Sequence, residues 1–279
     1  MEILDNMCEL FGASFNKQVG MQFAFNKFRE SGECNRQGWG LAWYPDKVSS
    51  QIIKEAKKAT ESEISEFISI SNTIKSKIFI SHVRYATGRG AAAEAVHRNT
   101  HPFSKIYNRK EYIFAHNGFE KPPGAFKRDH SKLLSDFNIS QSYFPLGDTD
   151  SELAFCHLMD FIKNYSRRIE NGNDFDVLAK KLYLMNDYGK LNLMFSDGEY
   201  LFCYHTKDQA SNTLKYVRRK APFGNIKYKD SDQEINLIKT KDSTQKGYII
   251  STNALSNEEW VDFASGQLIV FKSGEIVYS

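Results

Sequence analysis

Apolar and polar residues alternate, or apolar residues form short runs bounded by turn residues, at Glu9–Ser14, Trp39–Tyr44, Gln51–Glu55, Ser76–Arg84 and Glu111–His116. That is the pattern of buried and half-buried strands. The second half repeats it at Leu191–Ser196, Tyr200–His205, Leu214–Arg218, Gly247–Ser251 and Leu268–Phe271, the last turning through Lys272-Ser273-Gly274 into Glu275–Tyr278. Helical spacing is found at Met21–Glu30, Ile64–Ile74, Asp150–Tyr165 and Phe175–Asn186; in the third, Leu153, His157 and Phe161 share a face with Ala154 and Leu158. Strands outnumber helices and do not alternate regularly with them. The pattern therefore predicts an α+β sandwich with helices covering packed sheets, not a doubly wound parallel sheet. Two polar, irregular segments, Thr87–Phe103 and Gly118–Thr149, are longer than ordinary loops and flank the strand leading to His116-Asn117-Gly118, so they are read as functional.

The 279 residues fit one large core, 41% of them hydrophobic and 25% charged, which is ordinary globular usage. Lys plus Arg number 37 against 34 Asp plus Glu, and a net charge of +3 is too mild to predict a nucleic-acid partner. The basic stretches Lys105–Lys110 and Tyr216–Lys220 are read as solvated strand edges. Apolar runs such as Ile78-Phe79-Ile80 are far short of the roughly 18–20 residues a bilayer crossing needs, so no membrane partner is expected. The start, Met1-Glu2-Ile3-Leu4-Asp5, is acidic where a signal peptide would be basic. Cys8, Cys34, Cys156 and Cys203 lie scattered without a CxxC pair, as free thiols do in a reducing compartment, and these features together place the protein in the cytoplasm. His97 and His101 have the spacing of two ligands on a helix, but Pro102 opposes helical geometry there and no further ligand follows, so no metal is predicted.

Chemistry begins at Met7-Cys8-Glu9-Leu10-Phe11-Gly12. Were the preceding residues removed, Cys8 would carry a free α-amine, which titrates near about 7.7–8.0 and can take the proton of its own thiol. Nucleophile and base would then share one residue. The alternative is a small buried strand cysteine.

The surrounding motifs are Gly38-Trp39-Gly40-Leu41-Ala42-Trp43-Tyr44, His82-Val83-Arg84-Tyr85-Ala86-Thr87, Asn99-Thr100-His101-Pro102-Phe103, His116-Asn117-Gly118 and Gly147-Asp148-Thr149-Asp150-Ser151-Glu152. In this order and spacing the chain resembles the class II glutamine amidotransferases, the cysteine branch of the N-terminal-nucleophile hydrolases, over nearly its whole length. The resemblance implies a four-layer α/β/β/α sandwich of two mainly antiparallel sheets. It also implies attack by Cys8 on the side-chain amide of glutamine, a γ-glutamyl thioester, and release of ammonia and glutamate, with no cofactor. Asn117 and Gly118 match the family's oxyanion donors, although alone they would be read as a tight turn. Arg84, with Thr87 close by, matches the residue that holds the substrate carboxylate, a task suited to a planar guanidinium. Asp150 matches the residue that receives the substrate ammonium, while Asp148 or Asp150 is equally an ordinary helix N-cap. Gly38 and Trp39 match the stretch beside the nucleophile, where glycine would let backbone come close; Gln37 stands where the family usually has Asp, and Trp39 could equally be core. His82 and His101, like His116, fall inside family motifs and are expected to support loops by hydrogen bonding, since the nucleophile's own amine makes a histidine base unnecessary.

The resemblance uses almost all 279 residues, so residues 8–279 are read as a single amidotransferase domain and residues 1–7 as an extension removed or not translated. No phosphate-binding or dinucleotide fingerprint occurs. The stand-alone form implies either a glutaminase feeding ammonia to a separate synthase subunit or a hydrolase of a γ-glutamyl amide in a larger metabolite. If the extension persists, the Cys8 nitrogen is an amide and cannot act as a base, and the scaffold becomes an inactive binding or regulatory subunit.

Overall fold

Period-two alternation has one strong consequence in a strand: odd and even positions face opposite sides, so each strand can carry two different cores. A computed structural model of the protein describes residues 8–31, 37–85, 94–120, 139–165, 168–207, 213–229, 232, 234–237 and 242–279. Its strands are β1 (Glu9–Gly20), β2 (Trp39–Trp43), β3 (Gln51–Glu55), β4 (Lys75–Val83), β5 (Phe103–Tyr107), β6 (Lys110–Glu120), β7 (Gly189–Ser196), β8 (Tyr200–Tyr204), β9 (Lys215–Lys220), β10 (Asn225–Lys227), β11 (Glu234–Asn236), β12 (Lys246–Ser251), β13 (Val261–Asp262), β14 (Leu268–Lys272) and β15 (Glu275–Tyr278). Its helices are α1 (Gln22–Ser31), α2 (Glu63–Ile70), α3 (Asp150–Tyr165) and α4 (Gly172–Met185).

Seven strands form one sheet in the order β13-β9-β12-β1-β4-β2-β3, six form a second in the order β15-β14-β8-β7-β6-β5, and β10 and β11 pair by themselves. The strand pairs within both large sheets are antiparallel. Leu10, Ala42, Ile78 and Ile80 of the first sheet meet Ile113, Ala115, Met194 and Leu201 of the second in a core between the sheets. The alternate residues Phe11, Ala13, Leu41 and Phe79 face outward and pack on Phe25 and Phe28 of α1 and Ile68 of α2. On the far side, Phe114, Leu193 and Phe195 pack on Phe155 and Leu158 of α3 and Leu178 and Leu182 of α4. The result is the four-layer α/β/β/α sandwich. No helix among the described residues is long and apolar enough to cross a membrane.

Several boundaries differ from the sequence pattern for local reasons. The helix expected to reach Ile74 stops at Ile70, where Ser71 turns extended and its hydroxyl accepts from the Thr73 N–H, a local bond that competes with helix. Conversely α4 begins at Gly172, three residues before the apolar spacing starts, because Asn171 and Asp174 form a reciprocal capping box. β5 lies partly in the basic stretch 105–110 and is indeed the end strand of its sheet, whereas β9 is covered on its outer side by the two residues of β13. Residues 97–99 form one 3-10 turn. In the outer core the Phe155 and Phe114 rings stack with centroids 4.8 Å apart. Phe155→Ala is expected to lower unfolding free energy by about 3–5 kcal/mol, measured by urea denaturation followed by tryptophan fluorescence.

Candidate active site

The register of β1 with β4 pairs Glu9 with Val83 and Leu10 with His82. Continuing it by one residue sets Cys8 opposite Arg84, at the same edge of the sheet. By parity Cys8 falls with Leu10, and Arg84 with Ile80 and His82, on the face turned toward the second sheet. Asn117 shares parity with Ile113 and Ala115, which face the same gap from the other side. The residue before β1, the residue after β4 and one position within β6 thus converge at one end of the gap between the sheets.

The convergence is visible in the contacts. Asn117 donates its side-chain amide to the Cys8 carbonyl. The Cys8 thiol donates to the Tyr85 carbonyl at 2.9 Å and accepts from the Tyr85 N–H at 3.0 Å. Burial pushes the thiol up to about 11, with the Tyr85 backbone and the Arg84 charge pulling it partly back and the Asp150 carboxylate pushing it further up. At neutral pH the thiol is therefore protonated and needs a base to react. Arg84 is only 4% exposed, donates from Nη1 to the Glu94 carbonyl at 2.9 Å, and is held below its usual range by burial despite the nearby Cys8 and Asp150.

Asn117 and Gly118 are not a turn. They lie inside β6, paired with Asn192 and Leu191 of β7, and β5 pairs with β6 only as far as Phe114. A Cβ on Gly118 would stand 2.0 Å from the Lys190 carbonyl oxygen and 2.5 Å from His116 Nε2, so close packing demands glycine there. Asp150 opens α3, where its Oδ1 accepts from the Ser151 N–H at 2.8 Å and the Ser151 hydroxyl at 3.3 Å. The cap itself is Thr149, whose hydroxyl accepts from the Glu152 N–H at 3.2 Å. Neither Asp148 nor Asp150 is the N-cap, and Asp148 instead bonds Arg98.

The glycines of Gly38-Trp39-Gly40 serve a different neighbour from the one expected. A Cβ on Gly40 would lie 2.2 Å from the His101 carbonyl oxygen, and one on Gly38 2.8 Å from Thr100 Oγ1. It is the 100–102 segment, not the nucleophile, that these glycines admit. Trp39 is a core residue, 1% exposed on the outer face, with its indole N–H on Glu55 at 3.1 Å. Gln37 donates its backbone N–H to the Arg84 carbonyl at 3.3 Å, a bond any residue but proline could make.

His82 and His101 pack against each other with tilted rings, centroids 4.2 Å apart, and the Phe103 ring lies 4.5 Å beyond His101. Burial holds His82 down near about 3 and His101 well below its ordinary range, so both are neutral. Their evident contribution is ring packing. Hydrogen bonding of the expected kind is seen at His116, with Nδ1 at 3.0 Å from the Ser151 hydroxyl and Nε2 at 3.0 Å from the Lys190 carbonyl. Of the residues singled out from the sequence, Cys8, Arg84, Asn117, Gly118 and Asp150 come to one place, Gly38, His82 and His101 lie directly behind it, Trp39 stands apart, and Thr87 falls outside the described residues. Sequence reading missed Ser151 and the Tyr85 and Glu94 backbone groups. The Asp-Ser pair at a helix start was a signal for the first; backbone contacts have none.

A family description, class-II glutamine amidotransferases, matches residues 7–279 of this chain. A Methanocaldococcus jannaschii protein of no assigned function is 41% identical over 98% of this chain and 71% of its own. A Haemophilus influenzae protein carrying the provisional name of glutamine amidotransferase is 31% identical over 96% of this chain and 85% of its own. Among solved structures, a predicted glutamine amidotransferase from Pseudomonas aeruginosa superposes with a TM-score of 0.67 at 25% identity, covering 98% of this chain and 100% of that one. The glutamine phosphoribosylpyrophosphate amidotransferase of B. subtilis gives 0.60 at 15% identity, a likeness of fold, with 96% of this chain matching 48% of that one.

The raised thiol predicts that in protein retaining residues 1–7 the alkylation of Cys8 by iodoacetamide is slow at pH 7.5. Its rate should climb about tenfold per pH unit toward a midpoint near about 11, read by peptide mass spectrometry.

Proposed function

Because this chain belongs to the class II glutamine amidotransferases, we propose that it hydrolyses the γ-amide of glutamine through a Cys8 thioester, releasing glutamate and ammonia. The observation that carries the reading is the meeting of Cys8, Arg84, Asn117 and Asp150 at one end of the gap between the sheets. Arg84 suits the substrate α-carboxylate, and Asp150 the α-ammonium, so the two fix the amino-acid head and leave the side-chain amide to reach the thiol. The free α-amine of Cys8 takes the thiol proton as sulfur attacks the amide carbon. Asn117 and the Gly118 N–H stabilise the oxyanion, and the same amine returns the proton to the departing ammonia. Water then cleaves the thioester, giving glutamate and restoring the thiol. The mechanism requires that residues 1–7 be absent from the working enzyme, leaving 8–279 as the catalytic unit. The ammonia is proposed to serve a separate synthase subunit, in the cytoplasm.

The base sets the pH dependence. An amine near about 7.7–8.0 is protonated and inactive below that range and becomes competent above it, so kcat/KM is expected to rise through pH 7–8 and level off well before the thiol titrates. The test is glutamate release by protein with Cys8 at its N-terminus, verified by intact mass, beside protein retaining residues 1–7. Activity in the first alone is the expected outcome, and equal activity in both would remove the α-amine from the mechanism. Within the active form, Asn117→Ala should lower kcat by about 10²–10³ while changing KM little, measured by steady-state glutaminase kinetics.

A further inference from the structure

Two of the motifs, Asn99-Thr100-His101-Pro102-Phe103 and Gly147-Asp148-Thr149-Asp150, contain residues that the chemistry above leaves unused. Arg98, Asn99 and Asp148 lie where the segments carrying these motifs meet. Arg98 donates from Nε at 3.2 Å and from Nη2 at 3.1 Å to the same Asp148 carboxylate oxygen, and its Nη2 lies 3.8 Å from the Glu94 carboxylate. Asn99, fully buried, accepts the Asp148 N–H on its side-chain oxygen at 2.9 Å. The segments touch so tightly that a Cβ on Gly147 would stand 2.5 Å from that oxygen and 2.6 Å from the Arg98 carbonyl oxygen. From the other direction, the Glu152 carboxylate accepts the Leu146 and Gly147 N–H groups at 2.9 and 2.7 Å, fixing the segment to the first turn of α3.

Each end of this arrangement reaches one half of the substrate grip. The 94–99 segment begins at Glu94, whose carbonyl holds the Arg84 guanidinium. The 147–149 segment runs directly into Asp150. We infer that Arg98, Asn99 and Asp148 form a clasp that sets the separation of Arg84 from Asp150, and so selects a free α-amino-acid head carrying both a carboxylate and an ammonium. This rests on the reading of Arg84 and Asp150 as that grip. The three are positioning residues: none is required to touch substrate. Their effect should fall on substrate capture, because the thiol, the Tyr85 contacts and Asn117 belong to other segments.

The test uses full enzyme with a verified N-terminal Cys8. It compares wild type with Arg98→Ala, Asp148→Ala, Asn99→Ala and the exchanged pair Arg98→Asp with Asp148→Arg. Because the ion pair is half-exposed, each of its single variants should raise the KM for glutamine by about two- to fivefold with kcat unchanged. Asn99→Ala, which removes a fully buried side chain together with the acceptor of the part-buried Asp148 N–H, should raise it by about five- to tenfold. Labelling of Cys8 by the glutamine analogue 6-diazo-5-oxo-L-norleucine should slow in parallel, while alkylation by iodoacetamide, which needs no head grip, should proceed at the wild-type rate. The exchanged pair should recover most of the lost affinity. A wild-type KM in both single ion-pair variants, or iodoacetamide alkylation slowing in step with analogue labelling, would overturn the clasp while leaving the glutaminase reading standing. Failure of wild type to release glutamate or react with the analogue would instead overturn that reading, and the clasp with it.

Discussion

The antiparallel register of β1 against β4 is the constraint on which the site depends. Pairing Glu9 with Val83 and Leu10 with His82 brings the residue before β1 and the residue after β4 to one edge, the first carrying a thiol and the second a guanidinium. A slip of one residue would turn Cys8 and Arg84 to opposite faces, because side chains alternate. The register is held by the two cores it serves at once: Leu10, Ile78 and Ile80 fill the space between the sheets, and Phe11 and Phe79 fill the space under α1 and α2. Chemistry at the edge is thus fixed by hydrophobic packing along the strand.

The second sheet supplies what the first lacks. Asn117 reaches Cys8 because β6 continues beyond the end of β5, where its pairing with β7 persists. Gly118 is required there by the nearness of the Lys190 carbonyl and the His116 ring. His116 in turn ties β6 to the start of α3 through Ser151, beside Asp150. The oxyanion donors proposed here and the proposed ammonium acceptor are therefore coupled by one buried histidine, kept neutral mainly by burial.

Electrostatics give the site its economy. A thiol pushed up to about 11 by burial is a poor nucleophile by itself, which is the condition under which an adjacent amine base has most to contribute. Burial lowers His82 and His101, so the wall behind the site carries no added positive charge at neutral pH. Arg84, buried and braced by the Glu94 carbonyl, is the cation proposed above to meet the substrate carboxylate.

Sequence alone was enough for the fold class and for most elements, since long apolar alternation in β1, β4 and β7 and the helical face of α3 are properties of each segment by itself. It also identified Cys8, Arg84, Asn117, Gly118 and Asp150 as a set, because their types and order carry family information that no single motif holds. Tertiary structure decided what neighbouring segments do to one another. It made Trp39 a core residue, made Gly38 and Gly40 a seat for the 100–102 segment, gave the helix cap to Thr149, and joined Arg98 and Asn99 to Asp148. The last are contacts between residues some 50 positions apart, and neither partner's local pattern differs from that of an ordinary surface charge or turn residue. Periodicity records which face of a segment is buried; only packing records against what.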